Sequence, residues 1–264
     1  LLNHTAGLPA HRRYYEGLGP STKQTGAFRG SKTAVRRMLR GTEALYRPGE
    51  KEVYSDLGFL LLEWICETIE TPLAKRWKSL PGHGKSALHF QPLPLQGRPN
   101  VAYAPTEKCP WRGLLLRGEV HDDNAWTMGG ICGHAGLFGN LHSVLDIGQR
   151  WLRALRGEEG LGAISAGTIR KALSRERWMH PRGTRVLGWD TPTPGRSSSG
   201  QFFGRSSVGH LGFTGTSVWI DPDEEVVMVL LTNRVSPSRQ NNLIRSFRPL
   251  IHDAAWLYSE KGFT

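Results

Sequence analysis

The most regular hydrophobic pattern in this chain lies over residues 207–232. A His-x-Gly turn (His210, Leu211, Gly212) leads into a run that alternates in β fashion and ends at Asp221-Pro222. A second apolar run, residues 226–232, follows the short polar turn Asp221-Pro-Asp-Glu-Glu225. Two β-rich runs joined in this way predict an antiparallel hairpin. Gly209, Gly212 and Gly215 stand near its start. Glycine inside a strand pattern marks a bulge or a close approach to the backbone, and a tight Gly-rich core hairpin accounts for the same three residues.

The helical signals lie on either side. Residues 57–70 are apolar nearly all round, with Ser55 or Asp56 as N-cap, and predict a buried helix. Residues 33–45 predict a short helix after a loop marked by Gly17, Gly19-Pro20 and Gly26. Ser143 opens a helix whose apolar positions Val144, Leu145, Ile147, Trp151 and Leu152 keep helical spacing. A further helix spans 165–178, a strand 186–189, and a closing helix 240–257 is interrupted at Pro249. Residues 71–120 are punctuated by Pro and Gly and read as an irregular surface excursion. Gly129, Gly130, Gly133 and Gly136 surround His134 and read as a loop held against a site.

Composition narrows the class. A chain of 264 residues makes one large or two small domains, with 38% apolar and 22% charged residues. No apolar run approaches the roughly 20 residues that span a bilayer, so no transmembrane segment is predicted. The net charge of +11 raises nucleic-acid binding, but the arginines are scattered and carry no nucleic-acid motif, so nucleic acid is not the expected partner. Cys66, Cys109 and Cys132 have no Cys-x-x-Cys spacing and make neither a disulfide framework nor a zinc site; Cys66 reads as a small core residue. The chain opens at Leu1 in mid-pattern, without Met, and is expected to be an N-terminally truncated piece of something longer.

Most catalytic and metal signatures are missing. There is no His-Glu-x-x-His, no Gly-x-x-x-x-Gly-Lys-Ser/Thr and no Gly-x-Ser-x-Gly. His121-Asp-Asp123 reads as a turn stabilised by its side chains rather than a metal site, so no metal or cofactor is expected. The sharper constellation is Tyr54-Ser-Asp56 with His210-Leu-Gly212. A tyrosine at a loop-to-helix junction can present a phenol and a carboxylate on one side, and a Gly-rich strand edge can offer a backbone N–H to an oxyanion. Taken singly, Tyr54 reads as a half-buried core tyrosine, and His134 reads equally as a residue that satisfies a buried loop.

Taken together and in order, these segments resemble the serine hydrolases of the β-lactamase and penicillin-binding-protein superfamily, in the class C-like esterase and carboxypeptidase branch. Leu1-Leu-Asn-His-Thr-Ala-Gly-Leu-Pro9 resembles that branch's Leu-Leu-x-His-Thr-Ser-Gly-Leu-Pro segment. Tyr54-Ser-Asp56 resembles its Tyr-x-Asn motif, and His210-Leu-Gly212 its Lys-Thr-Gly strand in a His-x-Gly form. Gly133-His-Ala-Gly-Leu-Phe138, Leu187-Gly-Trp189 and Leu231-Thr-Asn233 also fit, so the likeness runs from residue 1 to about 258.

The resemblance implies an α/β (α+β) fold, an antiparallel sheet flanked by helices in one β-lactamase-related domain over 1–264. A helical and irregular lobe would cover about 10–190, and the sheet hairpin and last helix about 200–258. The family's first elements would precede residue 1. The resemblance also implies an acyl-enzyme mechanism on an ester, peptide or β-lactam carbonyl, with a small-molecule or peptidoglycan-like substrate. The family's nucleophile is the serine of Ser-x-x-Lys, and this chain contains no Ser-x-x-Lys. That motif is expected in the part before Leu1, which would leave this chain alone inactive.

By resemblance Tyr54 relays the proton, Asp56 holds the lysine and contacts substrate, and His210 orients the substrate carboxylate. Gly212 lets substrate lie along the strand, the Phe213 N–H forms half of the oxyanion hole, and His134 is part of the site wall. Two departures matter. Asp56 stands where Asn is usual and would favour a charged lysine. His210 stands where Lys is usual and is a weaker, pH-dependent cation, which shifts weight from β-lactams toward esters or peptides. The alternative is a catalytically inactive binding module, or pseudoenzyme, of the same fold.

Overall fold

The structure is a computed structural model that describes residues 1–18, 31–79, 87–91, 93 and 102–260. The loop expected at Gly19-Pro20 and Gly26, and parts of the 71–120 stretch, lie outside the described residues. The chain divides into two compact units, Leu1–Asn140 with Ser236–Ser238, and Leu141–Val235 with Arg239–Thr264.

In the first unit, Ser31 caps α1 (Lys32–Arg40), its Oγ accepting the Ala34 N–H, and the helix stops at Gly41. This is shorter than the 33–45 expected. Helix α2 (Asp56–Ile69) forms as predicted, but the Ser55 hydroxyl makes no cap bond to it. The hydroxyl donates to the Pro9 carbonyl at 2.7 Å instead. One face of α2, Leu57 and Leu60, packs with Tyr14, Val35, Leu39, Val120, Ala125 and Met128. The other face, Ile65, Cys66 and Ile69, is exposed. The helix is therefore half-buried rather than enclosed, and Cys66 is not a core residue.

Lys32 and Arg36 of α1 pair with Glu63 and Glu67 of α2, Lys32 Nζ at 2.5 Å from the fully buried Glu63. The short α3 (Leu73–Ser79) follows.

The 71–120 stretch is not simply irregular. Strand β1 (His89–Phe90) pairs with β4 (Leu137–Phe138), and β2 (Pro105–Cys109) forms a hairpin with β3 (Leu114–Arg117). Charge hides this hairpin from a hydropathy reading. The Arg112 guanidinium at its turn is buried, donates from Nε and Nη2 to Asp123 Oδ1 at 3.1 and 2.7 Å, and reaches the Val120 and His121 carbonyls. His121 is buried against Glu107 at 2.9 Å. A buried charge is tolerated only when paired and hydrogen-bonded in this way. Lys108 N–H donates to the Pro237 carbonyl at 3.0 Å, which accounts for the return of residues 236–238 to this unit.

The second unit is three layers deep. Strands β5 (Val208–Leu211), β6 (Ser217–Asp221) and β7 (Val226–Leu230) form an antiparallel meander, with Leu211 opposite Ser217 and Val218 opposite Val229. The predicted hairpin is β6–β7. The His-x-Gly segment is the preceding strand rather than a turn, because residues 207–222 contain two strands. Alternation sends Val208, Val218, Ile220 and Val227 toward α5 (Leu141–Arg156) and α6 (Ala166–Ala172). Trp219, Val226 and Met228 point the other way, toward Phe203 and Trp256 of α8 (Ile244–Glu260). Gly148 lets α5 approach closely, since a Cβ there would lie 2.5 Å from the Val227 methyl.

Two helix predictions are corrected. The 165–178 helix breaks after Ala172, and Ser174 caps a separate turn, α7 (Arg175–Trp178). Pro249 lies inside α8 without ending it; its fixed φ suits a helix, and the lost N–H removes a single bond. The expected strand at 186–189 is a tight turn, closed by Val186 N–H to the Trp189 carbonyl, and only Asp190 bridges to Gly209.

His252 of α8 ties the layers together. Its Nδ1–H donates to the Ser198 carbonyl at 3.0 Å, so its Nε2 accepts the Ser217 hydroxyl at 3.0 Å. Burial, with help from Arg248, holds its pKa below the ordinary imidazole value. The unfolded chain therefore binds this proton more readily, so the contribution of His252 is complete above about pH 6.5 and lost as pH falls below it. Urea denaturation is expected to show lower stability at pH 5.5 than at 7.5, with a smaller difference in His252→Gln. Iodoacetamide is expected to modify Cys66 in the folded protein and spare Cys109 and Cys132. Both of the latter are buried, and burial pushes the Cys132 thiol up to about 11. Peptide mapping checks this.

Candidate active site

Tyr54, Asp56 and His134 belong to the first unit; His210, Gly212 and Phe213 belong to the second.

In the first unit the N-terminal segment clasps the start of α2. His4, buried and at φ 60°, accepts the Ser55 N–H on Nδ1 at 3.0 Å, and its carbonyl accepts the Val53 N–H at 3.0 Å. The Ser55 hydroxyl reaches the Pro9 carbonyl, and the Asp56 N–H reaches that of Ala10 at 3.0 Å. Gly7 is required here: its φ is +84°, and a Cβ would lie 2.2 Å from the Tyr46 carbonyl oxygen. The His4 ring packs on Tyr54 with centroids 4.5 Å apart and on Phe59 at 5.4 Å. Tyr54 itself is 41% exposed, so it is a presented side chain rather than a core tyrosine.

Asp56, in the first turn of α2, directs Oδ2 to His11 Nδ1 at 3.1 Å. His134 Nε2 lies 3.0 Å from Asp122 Oδ1, and that oxygen also accepts the Ala125 N–H at 2.7 Å, capping α4 (Asp123–Thr127). The His134 side chain is 6% exposed and that of Asp122 25%. Burial alone would lower the His134 pKa, but the Asp122 charge and hydrogen bond outweigh it and raise the imidazole well above its usual range. Burial alone would raise Asp122; the His134 cation outweighs it and holds the carboxyl far below the carboxylate range. The pair is therefore ionic at neutral pH.

The loop carrying His134 is fixed by the Gly133 N–H, which donates to Glu63 Oε2 at 2.9 Å. Asn124, fully buried, accepts the Tyr15 N–H and donates to the Arg12 carbonyl, holding the chain beside His11. Asp56, Asp122 and His134 each offer one ligand atom within 4.8 Å of the others. Within this set Asp122 is matched by His134, and Asp56 faces His11.

In the second unit His210 lies on β5, half-buried and opposite Val218. Gly209 must be glycine because any Cβ would lie 2.2 Å from the indole of Trp219. Gly212 serves the β5–β6 turn: a Cβ would lie 2.0 Å from Thr216 Oγ1, and its N–H donates to the Thr216 carbonyl at 2.8 Å. The steric demand at Gly212 therefore comes from Thr216. Phe213 is exposed, with its carbonyl accepting Arg234 Nε at 2.8 Å and the Arg234 guanidinium 4.4 Å over its ring.

Arg248, buried on α8, donates from Nη2 to the Gly212 and Thr216 carbonyls at 2.7 and 3.0 Å and so fixes this turn. Sequence reasoning missed Arg248, His11 and the pairing of Asp122 with His134. An arginine beside Pro249 in a helical, half-apolar run was the one available signal for Arg248.

Comparison with known proteins identifies the family and the fold. The beta-lactamase family model matches residues 1–248. A protein of Salmonella agona (strain SL483) named "Putative D-alanyl-D-alanine carboxypeptidase" is 31% identical over 257 residues, 89% of this chain and 56% of that protein. The chain thus spans about half the length of the curated relatives it matches. Among solved structures, a β-lactamase from Mycobacterium bovis aligns with TM-score 0.58 at 16% identity, over 97% of this chain and 72% of its own. Simvastatin synthase from Aspergillus terreus aligns with TM-score 0.60 at 16% identity, over 99% and 68%. The fold is that of the β-lactamases and penicillin-binding proteins, and the chain belongs to the beta-lactamase family.

Proposed function

We propose that the protein is a serine hydrolase that forms an acyl-enzyme on an ester or peptide carbonyl, with its Ser-x-x-Lys nucleophile outside these 264 residues. The observation that carries this reading is the clasp between two segments that the sequence keeps apart. His4, Pro9 and Ala10 hold Val53, Ser55 and Asp56 by main-chain and side-chain hydrogen bonds, with the Tyr54 side chain left 41% exposed. The beta-lactamase match over residues 1–248 and the name of the Salmonella relative support a carboxypeptidase-like substrate, small or peptidoglycan-like.

In this reading Tyr54 passes the proton between nucleophile and leaving group, a role that contributes roughly 10²- to 10⁴-fold. Asp56 offers its carboxylate to the lysine of Ser-x-x-Lys, the cation that suits it. His134 balances Asp122 and forms part of the site wall. His210 orients a substrate carboxylate as a pH-dependent cation, and the Phe213 N–H serves the oxyanion. Gly212 supports the Phe213 amide through the turn that Thr216 and Arg248 fix.

Intact-mass analysis after incubation with a fluorophosphonate tests this, using the 264-residue chain and a version extended upstream. An adduct on the extended chain alone is expected, formed at least tenfold more slowly in its Tyr54→Phe variant. An adduct on the 264-residue chain would overturn the placement of the nucleophile. No adduct on either would overturn the hydrolase in favour of a non-catalytic binding module. His134→Gln is expected to cost roughly 1–3 kcal/mol in urea denaturation. That is below the 3–5 typical when a fully buried pair is broken, because Asp122 keeps some contact with solvent.

A further inference from the structure

The second unit carries a cavity of about 670 Å³ that no role above uses. The strand register places it at the other end of the sheet from Gly212. Ser207 and Val208 at the start of β5, and Pro222 and Asp223 after β6, line it. Leu211, at the Gly212 end, is three residues farther along β5, about 10 Å away. The cavity is lined by Arg156, Arg170, Arg175 and Arg205 against two carboxylates, Glu176 and Asp223.

The arginines differ in what already holds them. Arg156 is engaged by Glu158 and Glu225. Arg170 has no ion pair or hydrogen bond among the described residues, and Gly157, at φ +85°, leaves the space its Nη1 occupies. Arg175 is half-buried and donates one bond, from Nη1 to the Arg205 carbonyl, while its Nε–H is buried with no acceptor. Burial and the neighbouring Arg205 charge both disfavour its protonated form. Arg205 meets Glu176 only at 3.7 Å, with both side chains largely exposed. The hydroxyls offer little competition: Ser206 donates to Asp223, Ser207 to Asp221, Thr191 to the Thr184 carbonyl and Ser174 to Glu176.

A cavity where like charges face one another without enough acceptors is matched by a multiply charged anion. Guanidinium forks bind phosphoryl oxygens in pairs. We infer that this cavity binds a phosphate-bearing small molecule, its phosphoryl group held by Arg170 and Arg175 with Arg205 beside them. The volume falls in the range of small-molecule sites and exceeds what inorganic phosphate needs. Leu155, Leu173 and Val208 supply an apolar wall for the rest of the ligand.

Isothermal titration of the protein with inorganic pyrophosphate at low ionic strength tests the assignment. Saturable binding of one equivalent is expected, weakened at least tenfold by Arg170→Gln and by Arg175→Gln. Arg37→Gln, the same charge change on exposed α1 of the other unit, is expected to leave it unchanged. A ligand-induced rise in melting temperature should be lost in the same two variants. If Arg175→Gln does not fold, Arg170→Gln, which alters an exposed side chain, decides the matter. Absence of saturable binding, or equal weakening by Arg37→Gln, would overturn the site and leave only general attraction to a basic protein. Succinate binding as tightly as pyrophosphate would overturn the phosphate class.

Discussion

The first unit depends on one imidazole nitrogen. His4 Nδ1 accepts the Ser55 amide, which fixes the tautomer of the ring and the direction in which α2 begins. Around that bond the Val53 and Asp56 amides find main-chain acceptors four to ten residues into the chain, so the strained φ of His4 is held by its surroundings. The directions that follow from this start are those of Tyr54, just before α2, toward solvent, Asp56 toward His11, and Glu63 two turns on, toward Gly133. A Leu-Leu-x-His-Thr segment is thus a structural clamp before it is a recognition signature.

The second unit uses glycine for a different purpose, to let neighbouring side chains pack directly against the strand. Gly209 yields its space to Trp219 and Gly212 yields its space to Thr216, so neither glycine leaves an empty site beside the strand. The turn after β5 is then fixed from α8 by a buried guanidinium whose Nη2 donates to two carbonyls. Rigidity at this end comes from packing and from Arg248, and Phe213 stands exposed above it.

Periodicity made the regular parts of the fold legible: α2, α5, α8 and the β6–β7 hairpin all show it. It failed where charge replaces hydrophobicity in the interior. The β2–β3 hairpin is built on Arg112, Asp123, Glu107 and His121, and a chain reader meets these as surface residues. It failed also where apolar residues remain exposed, as at Ile65 and Ile69, which made α2 read as enclosed. The candidate site residues were named from the order of motifs along the chain, through the family resemblance. Their partners were not: His11 and Asp122 are 45 and 12 residues from the groups they face, and no local pattern links them.

The return of residues 236–238 to the first unit gives the chain an unusual connectivity. It passes from one unit to the other after Asn140, after Val235 and again after Ser238, so neither unit is a continuous segment. Dissecting the protein by a single cut would therefore fail on topological grounds. A fragment ending at Asn140 would carry β2 with its Lys108 amide deprived of the Pro237 carbonyl, and the complementary fragment would carry three residues that belong elsewhere. The separable modules of this molecule are interleaved in sequence, and any recombination of them must move two pieces of chain together.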